Sequence, residues 1–145
     1  MIGKTIAQYQ IVDRLGQGGM GEVWIAQDTK LGRKVALKRL PDDLSADPER
    51  LVRFESEARA LAALNHPNIV TVFSVEEDEG RPFITMELVT GGTLTDETPD
   101  EGLSTERLLE LAVPLADAIA AAHKRGITHR DLKPDNVMID EEGRL

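Results

Sequence analysis

The sequence predicts an α+β fold in two parts. Residues 1–89 contain short apolar segments with strand-like alternation and one helical pattern, which together predict five strands and one helix. From residue 90 onward the longest pattern is helical, and the next predicted strand is Val137–Ile139. We therefore place a domain boundary between residues 89 and 90, with a sheet-rich domain before it and a mainly helical domain, 90–145, after it.

Composition limits the classes of function. The 145 residues are 41% hydrophobic, enough for a packed core, and the formal net charge of −9 argues against a nucleic-acid-binding protein. The chain contains no cysteine, which excludes disulfides and fits a reducing compartment. The N-terminal residues are too polar for a secretory leader, and no apolar run reaches the roughly 18 residues of a membrane span. We expect a cytoplasmic protein without a membrane segment.

A glycine-rich segment lies between two predicted strands. Tyr9–Leu15 and Glu22–Asp28 have strand-like patterns, and residues 16–21 read Gly-Gln-Gly-Gly-Met-Gly. Glycine lets backbone N–H groups approach phosphates because no Cβ intervenes, so one interpretation is a lid over a nucleotide. A purely structural hairpin is a second. A dinucleotide-binding turn is a third, but it must open a helix after Gly21, where the residue types favour a strand.

The next predicted strand, Lys34–Leu40, carries a lysine within an apolar segment. Alternation with a period of two places Ala36 and Lys38 on one face and the neighbouring apolar residues on the other. A small alanine leaves room for a flat base, and the lysine beside it could reach the phosphates of the same nucleotide. The alternative is an exposed lysine at a sheet edge.

One helix is predicted in the first domain. Asp47 and Pro48 are a typical helix start, an N-cap followed by proline, and Asn65–Pro67 ends the segment. An apolar stripe with helical spacing runs along this helix, and its members are Phe54, Ala58, Leu61 and Leu64. Glu57 lies on the stripe, where a buried carboxylate needs a cation such as Lys38. Alternatively, Glu57 lies at the margin of the stripe and reaches water; Glu55 is the weaker candidate for the pair.

Two more strands complete the first domain. Ile69–Val75 and Pro82–Val89 are apolar, and we expect an acidic turn, Glu76–Arg81, between them. Thr90–Thr93 contains two glycines and breaks the strand pattern. We therefore expect the connection to the second domain at this point.

The second domain begins with an acidic segment rich in breakers, Thr95–Gly102, which predicts a surface loop. A helix is predicted from the N-cap Ser104 to Lys124, and Gly126 ends it. Pro114 lies inside this helix and removes one backbone hydrogen bond. We expect a kink there, or a helix in two pieces.

Residues 129–136 read His-Arg-Asp-Leu-Lys-Pro-Asp-Asn, an unusual concentration of acidic, basic and amide side chains. The segment lies between the predicted helix and the last strand, which is closed by a turn at Asp140–Gly143. Loops held by such a scaffold often carry catalytic residues. The alternative interpretation is a solvated charged turn.

Residues 129–136 resemble the catalytic loop of protein kinases, and the glycine segment resembles the lid of bacterial members of that family. The resemblance implies a kinase-like fold: an N-lobe, 1–89, with a five-stranded antiparallel sheet and one helix, followed by an incomplete, mainly helical C-lobe, 90–145. It also implies ATP and Mg²⁺ as cofactors. Lys133 followed by Pro134 is typical of the serine/threonine-directed branch, so the implied partners are proteins with serine or threonine hydroxyls.

The resemblance also assigns roles to residues. Asp131 would accept the proton of the substrate hydroxyl, Lys133 would neutralise the transferred phosphate and Asn136 would hold a magnesium ion. Lys38 would contact the phosphates of ATP and pair with Glu57. The resemblance also implies residues that contact ATP. The lid would use Gly16, Gly18 and Gly21, and the apolar walls would be Leu15, Val23, Ala36 and Met138. Met86 would lie at the back of the adenine pocket, and the backbone of Glu87 to Val89 would form the hinge.

The sequence ends before other kinase motifs. Kinase spacing would place the D-F-G aspartate, the main magnesium ligand, about four residues beyond Leu145. Without it Asn136 is the only clear protein ligand for the metal, so we expect weak transfer or none from residues 1–145 alone. We interpret the chain as part of a serine/threonine kinase catalytic domain, truncated after the catalytic loop, that would act with other parts of a longer kinase.

Two other classes of function remain open. A non-catalytic ATP-binding or interaction fragment, or pseudokinase, would keep the lid and the hinge but would not transfer phosphate. A dinucleotide-dependent oxidoreductase would require a helix directly after Gly21.

Overall fold

The structure, a computed structural model, describes residues 1–18, 21–43, 45–129 and 132–145. It divides into two compact units, 1–63 with 71–88 and 64–70 with 89–145. The boundary predicted after residue 89 lies one residue from the division after Leu88. The segment 64–70, which the sequence places in the first domain, belongs to the second unit.

Among the described residues, six strands form the sheet of the first unit. They are β1 Thr5–Ile6, β2 Tyr9–Gly18, β3 Gly21–Asp28, β4 Arg33–Arg39, β5 Val72–Asp78 and β6 Arg81–Met86. All neighbouring strands are antiparallel, in the order β1-β2-β3-β4-β6-β5. The five predicted strands are present. The sixth, β1, escapes prediction because two residues are too few to show alternation.

The hairpin of β5 and β6 differs from the prediction. β5 begins at Val72 rather than Ile69 and continues through the acidic residues to Asp78. The turn consists of Glu79 and Gly80 alone, both with positive φ, 51° and 77°. Two successive residues with positive φ are typical of a tight hairpin turn whose twist matches that of the strands. The acidic residues therefore belong to the strand, where they alternate between its two faces.

Apolar side chains pack on both faces of the sheet. One cluster contains Ile6, Tyr9, Ile11, Trp24, Ala26, Val35, Leu37 and Phe83. The other cluster, on the side of the helix, contains Leu40, Phe54, Ala58 and Ile84. Burial on both faces explains why the central strand β4 is apolar at three successive positions, 35–37.

Helix α1, Pro48–Ala62, begins as the sequence predicts. The side chain of Asp47 accepts a hydrogen bond from the N–H of Glu49, and Pro48 occupies the first turn, where a missing N–H costs no helical hydrogen bond. The helix ends with Ala63 as its C-cap, before the predicted end at Asn65–Pro67.

The side of α1 that packs against the sheet differs from the predicted apolar stripe. Phe54 and Ala58 are buried, and Leu51 packs at the edge of their cluster. Leu61, predicted on the stripe, is 38% exposed. Leu64 is buried but follows the end of the helix. The contact with the sheet, rather than the count of apolar residues, sets which side of the helix faces inward.

A two-stranded antiparallel sheet in the second unit pairs β7, Gly91–Thr93, with β8, Met138–Asp140. The sequence predicts a break in the strand pattern at Thr90–Thr93, and the structure adds that residues 91–93 form a short strand with a distant partner. A Cβ on Gly91, whose φ is 150°, would lie 2.0 Å from the carbonyl oxygen of Ile139. Glycine permits this close pairing, and the distant partner strand leaves no local signal for it.

Two α-helices lie in the described residues of the second unit. α2, Leu94–Glu97, replaces the first part of the predicted loop 95–102, and a capping box between Thr93 and Asp96 starts it. α3, Thr105–Lys124, begins after the N-cap Ser104 as predicted. It is continuous through Pro114, so the expectation of two pieces is wrong, whereas the kink stays a prediction. In the described residues no helix is long and apolar enough to span a bilayer.

Candidate functional site

The glycine segment lies at the tip of the β2–β3 hairpin. The last strand pair before the tip joins Gly18 and Gly21, and residues 19 and 20 lie outside the described residues. β3 continues from Gly21 as a strand. A dinucleotide-binding turn would need a helix at this place, so the oxidoreductase interpretation is wrong.

Gly21 is required by packing, whereas Gly16 is not. The φ of Gly21 is 150°, and a Cβ there would lie 2.7 Å from the carbonyl oxygen of Arg39 and 3.5 Å from Cε of Lys38. The absence of a side chain lets the hairpin approach β4 and the stem of Lys38. A Cβ on Gly16 would meet nothing within 4 Å, so the role of Gly16 beside phosphates stays a prediction.

Four of the predicted pocket residues share one face of the sheet. Val23 lies directly opposite Lys38, and Ala36 lies directly opposite Met86. Opposite residues of antiparallel strands project on the same side, and positions 36 and 38 share a face by alternation. Leu15, another predicted wall residue of this unit, lies where the register of β2 shifts and is 46% exposed.

This face combines apolar residues with the partly buried cation Lys38. Ala36 is buried, and Met86 packs at the edge of the cluster around Phe54. Lys38 is half-buried. Burial lowers the pKa of Lys38, and the negative charge of Glu57 acts in the opposite direction. A partly desolvated ammonium group on an apolar face is well suited to bind an anion, and groups with shifted pKa values are concentrated at functional sites.

Glu57 does not occupy its predicted position. It is exposed, and in the part of the chain that the structure describes there is no ion pair within 4.0 Å between Glu57 and Lys38. The prediction of a buried Lys38–Glu57 pair is therefore wrong for this structure. At 100° per residue, Glu57 points about 80° away from the midpoint of Phe54 and Ala58. The alternative, a carboxylate at the margin of the stripe, describes what is observed.

The predicted hinge begins with Glu87, which is held by Thr71. The N–H of Glu87 donates to the carbonyl oxygen of Thr71 at 2.9 Å, and the N–H of Thr71 donates to the Glu87 carboxylate at 3.3 Å. Because the Glu87 N–H is engaged, its carbonyl is the backbone group that would contact a base. Val89 belongs to the second unit.

The predicted catalytic loop belongs to the second unit. Arg130 and Asp131, the predicted proton acceptor, lie outside the described residues. Pro134–Asn136 forms a short 3-10 helix, in which the N–H of Asn136 donates to the carbonyl oxygen of Lys133 at 2.9 Å. Lys133 and Asn136 are both exposed. Their positions in a short ordered turn are compatible with the roles that the sequence assigns to them.

A side-chain contact that the sequence analysis missed holds this 3-10 helix against α2. The Thr95 hydroxyl donates to the Asp135 carboxylate at 2.5 Å. Beside it, the N–H of Leu94 donates to the carbonyl oxygen of Val137 at 2.7 Å. The only signal in the sequence was an aspartate in the loop without an assigned role, because its partner lies 40 residues away.

The donor set for a metal is small. Among residues 1–18, 21–43, 45–129 and 132–145, no group of three or more His, Cys, Asp or Glu side chains could hold a metal ion. The amide oxygen of Asn136 suits Mg²⁺, which protein sites commonly hold through one or two side chains together with substrate phosphates. Met138, the predicted wall residue of this unit, is half-buried in β8 opposite Thr93.

The family model and the related sequences that match this chain all belong to protein kinases. Residues 9–145 match the family model described as protein kinase domain. The chain is 43% identical over 143 residues to a probable serine/threonine-protein kinase of Streptomyces coelicolor, covering 95% of this chain and 21% of the relative. It is 40% identical over 147 residues to the serine/threonine-protein kinase PrkC of Bacillus subtilis, covering 100% of this chain and 23% of the relative.

Solved structures give the same result. The crystal structure of the PknI kinase domain of Mycobacterium tuberculosis is similar with a TM-score of 0.81 and 34% identity, over 100% of this chain and 59% of that one. The apo form of PpkA-294 is similar with a TM-score of 0.84 and 30% identity, over 99% of this chain and 58% of that one. The chain thus spans about a fifth of the length of the curated relatives and under two thirds of the solved chains.

Proposed function

The chain belongs to the protein kinase domain family, and we propose that it is part of the catalytic domain of an ATP-dependent serine/threonine protein kinase. The likeness to named serine/threonine-protein kinases and to solved kinase domains confirms the predicted family and the predicted kinase-like fold. The observation that carries the proposed activity is the shared sheet face of Val23, Ala36, Lys38 and Met86 beside the glycine hairpin.

This face offers the groups that ATP requires. Ala36 is small enough for a flat base to lie against it, and Val23 and Met86 extend the apolar surface on either side. Lys38 supplies a positive charge for the phosphates. Gly21 keeps the hairpin close to Lys38 because it has no side chain. The carbonyl of Glu87 is the first hinge group for the base.

The second unit would supply the chemistry. The substrate hydroxyl oxygen forms a bond to the γ-phosphorus, the bond from that phosphorus to the bridging oxygen of ADP breaks, and Asp131 takes the hydroxyl proton. Lys133 would neutralise charge on the transferred group, and Asn136 would hold Mg²⁺ through its amide oxygen. When bound, Mg²⁺ would neutralise the phosphate charge that develops during transfer. These roles rest on the motif match, since Asp131 lies outside the described residues.

Nucleotide binding tests the first half of this proposal. Titration of the 145-residue chain with ATP and Mg²⁺ should show saturable binding, and Lys38→Met should weaken it at least about tenfold, a change of about 1.4 kcal/mol. Lys34→Met is the matched control, because Lys34 is an exposed lysine of the same strand. Equal binding by both variants, or no binding by the unmodified chain, would contradict the proposal.

Phosphate transfer tests the second half. Radiolabelled ATP with Mg²⁺ and a generic protein substrate should give transfer that Asp131→Asn abolishes, in the full-length protein that contains this chain. Saturable ATP binding without transfer would instead support the non-catalytic ATP-binding fragment. The cytoplasmic location and the cooperation with other parts of a longer kinase stay predictions.

A further inference from the structure

A cavity with several cationic side chains in its wall lies at the end of β4 in the first unit. A cavity of about 250 Å³ is lined by Met1, Lys4, Glu22, Arg39, Leu40, Asp42 and Arg81. Alternation along β4 places Arg39 on the face of Val35 and Leu37, opposite to Lys38. None of Val23, Ala36, Lys38 and Met86 lines the cavity, which is therefore separate from the site proposed for ATP.

Arg39 is an unusual residue in this cavity. It is 5% exposed, and its Nε is buried without a hydrogen-bond partner. Within the part of the chain that the structure describes, its side chain makes no ion pair. Arginine stays charged throughout the range of pH in which proteins fold, and a buried charge is strongly disfavoured without a counter-charge. An anion in the cavity would supply this counter-charge.

The carboxylates in the cavity wall are engaged elsewhere. Asp42 forms an ion pair with Arg81. Glu22 lies directly opposite Arg39 in the strand pairing, but its carboxylate is 3.4 Å from Arg14. Arg39 and Lys4 thus remain as two cationic side chains without a carboxylate partner within 4.0 Å among the described residues. Lys4 is exposed, so the cavity is accessible from solvent.

We propose that this cavity binds a phosphate-sized oxyanion, held mainly by the guanidinium group of Arg39 and assisted by Lys4. The planar fork of arginine donates two parallel hydrogen bonds to phosphate or carboxylate oxygens. Two unpaired cations match the charge of a phosphate group, which is close to −2 at neutral pH, better than the single charge of a carboxylate. The volume is below the roughly 300 Å³ at which pockets for larger organic ligands begin.

An NMR titration of the unmodified chain tests the proposal directly. Sodium phosphate, added at constant ionic strength, should shift the amide signals of Lys4, Glu22 and Leu40 with saturation and a dissociation constant of about 1 mM or tighter. O-phosphoserine in place of inorganic phosphate distinguishes a phosphorylated side chain from the free ion as the source. Shifts that do not saturate, or equally tight binding of acetate, would overturn the proposal.

Variants identify the residues responsible. Arg39→Gln should weaken phosphate binding at least about tenfold, whereas Arg53→Gln, at an exposed position of α1 outside the cavity, should not change it. Arg39→Lys keeps the charge and should retain partial binding. Unchanged affinity in a folded Arg39→Gln protein would refute the assignment, and the titration of the unmodified chain decides the matter if that variant fails to fold.

Two further variants separate this site from its alternatives. Lys38→Met should leave phosphate binding intact, because Lys38 lies on the opposite face; its loss would assign the anion to the ATP site. Glu22→Gln should tighten phosphate binding by removing a negative charge from the wall. Weaker phosphate binding in Glu22→Gln would contradict the proposal. It would show that the Glu22 carboxylate helps to position Arg39 for the anion instead of competing with the anion for Arg39.

Discussion

A Cβ atom on Gly21 would lie 2.7 Å from the carbonyl oxygen of Arg39. This distance is shorter than real Cβ atoms tolerate, and the neighbouring atom belongs to the backbone, which cannot turn aside as a flexible side chain can. Gly21, beside the tip of the hairpin, is therefore a packing requirement of the β3–β4 pair as well as a candidate lid residue.

Gly21→Ala should destabilise the first unit. The added methyl group must displace backbone at β4, and alanine at a φ of 150° is strained, so we expect a loss of about 1–3 kcal/mol in the free energy of unfolding. Urea unfolding measures it. Gly16→Ala is the control from the same segment, with nothing within 4 Å of its Cβ. Equal losses in the two variants would contradict the packing argument.

The pKa of Lys38 links stability to pH. Burial lowers it below the usual 10.5, so between the lowered value and 10.5 the folded chain binds fewer protons than the unfolded chain. Stability should therefore rise with pH in this window, as the cost of burying the charged ammonium group is relieved. The free energy of unfolding relative to Lys38→Met should increase as the pH is raised to about 10.5.

The control for this pH dependence is Lys34→Met. Lys34 is an exposed lysine of the same strand, and Lys34→Met should keep the rise in stability with pH that Lys38→Met loses. Parallel stability curves for the unmodified chain and Lys38→Met would show that Lys38 titrates alike in the folded and unfolded states.

Glu57 acts on Lys38 through its charge rather than through a direct ion pair. Its negative charge raises the pKa of Lys38 against the larger effect of burial. Glu57→Gln should therefore lower the pKa of Lys38 further, which an NMR titration of the Lys38 side-chain signals measures. Glu55→Gln, a neighbouring change on the same helix, should have a smaller effect. An unchanged or higher pKa in Glu57→Gln would contradict this coupling.

The Thr95–Asp135 hydrogen bond should order the 3-10 helix of the predicted catalytic loop. Thr95→Val removes the hydroxyl and keeps the shape of the side chain, and we expect a loss of about 1 kcal/mol in local stability. Hydrogen exchange at the N–H of Asn136, which donates to Lys133, should then be about fivefold faster. Thr95→Ser retains the hydroxyl and should exchange like the unmodified chain. Similar exchange in Thr95→Val would mean that the backbone bonds alone hold this turn.

Local chemistry accounts for the parts of the molecule that the sequence analysis predicted. The start of α1 follows from an aspartate cap and a proline, and the bounds of α3 follow from Ser104 and Gly126. The strand after the glycine segment follows from its β-branched and aromatic residues. Each of these signals lies within a few residues of the structure it specifies.

Contacts between distant residues account for the rest. Three features depend on partners far away in the chain. They are the pairing of Gly91 with Asp140, the hydrogen bond from Thr95 to Asp135, and the orientation of α1 about its axis, which leaves Glu57 exposed. The residue order thus supplies the strands, the helix caps and the predicted catalytic motif, because these depend on neighbouring residues. Tertiary packing alone determines which side of a helix faces the sheet and which cation becomes buried. The reason is that the burial of a side chain depends on all the elements packed around it.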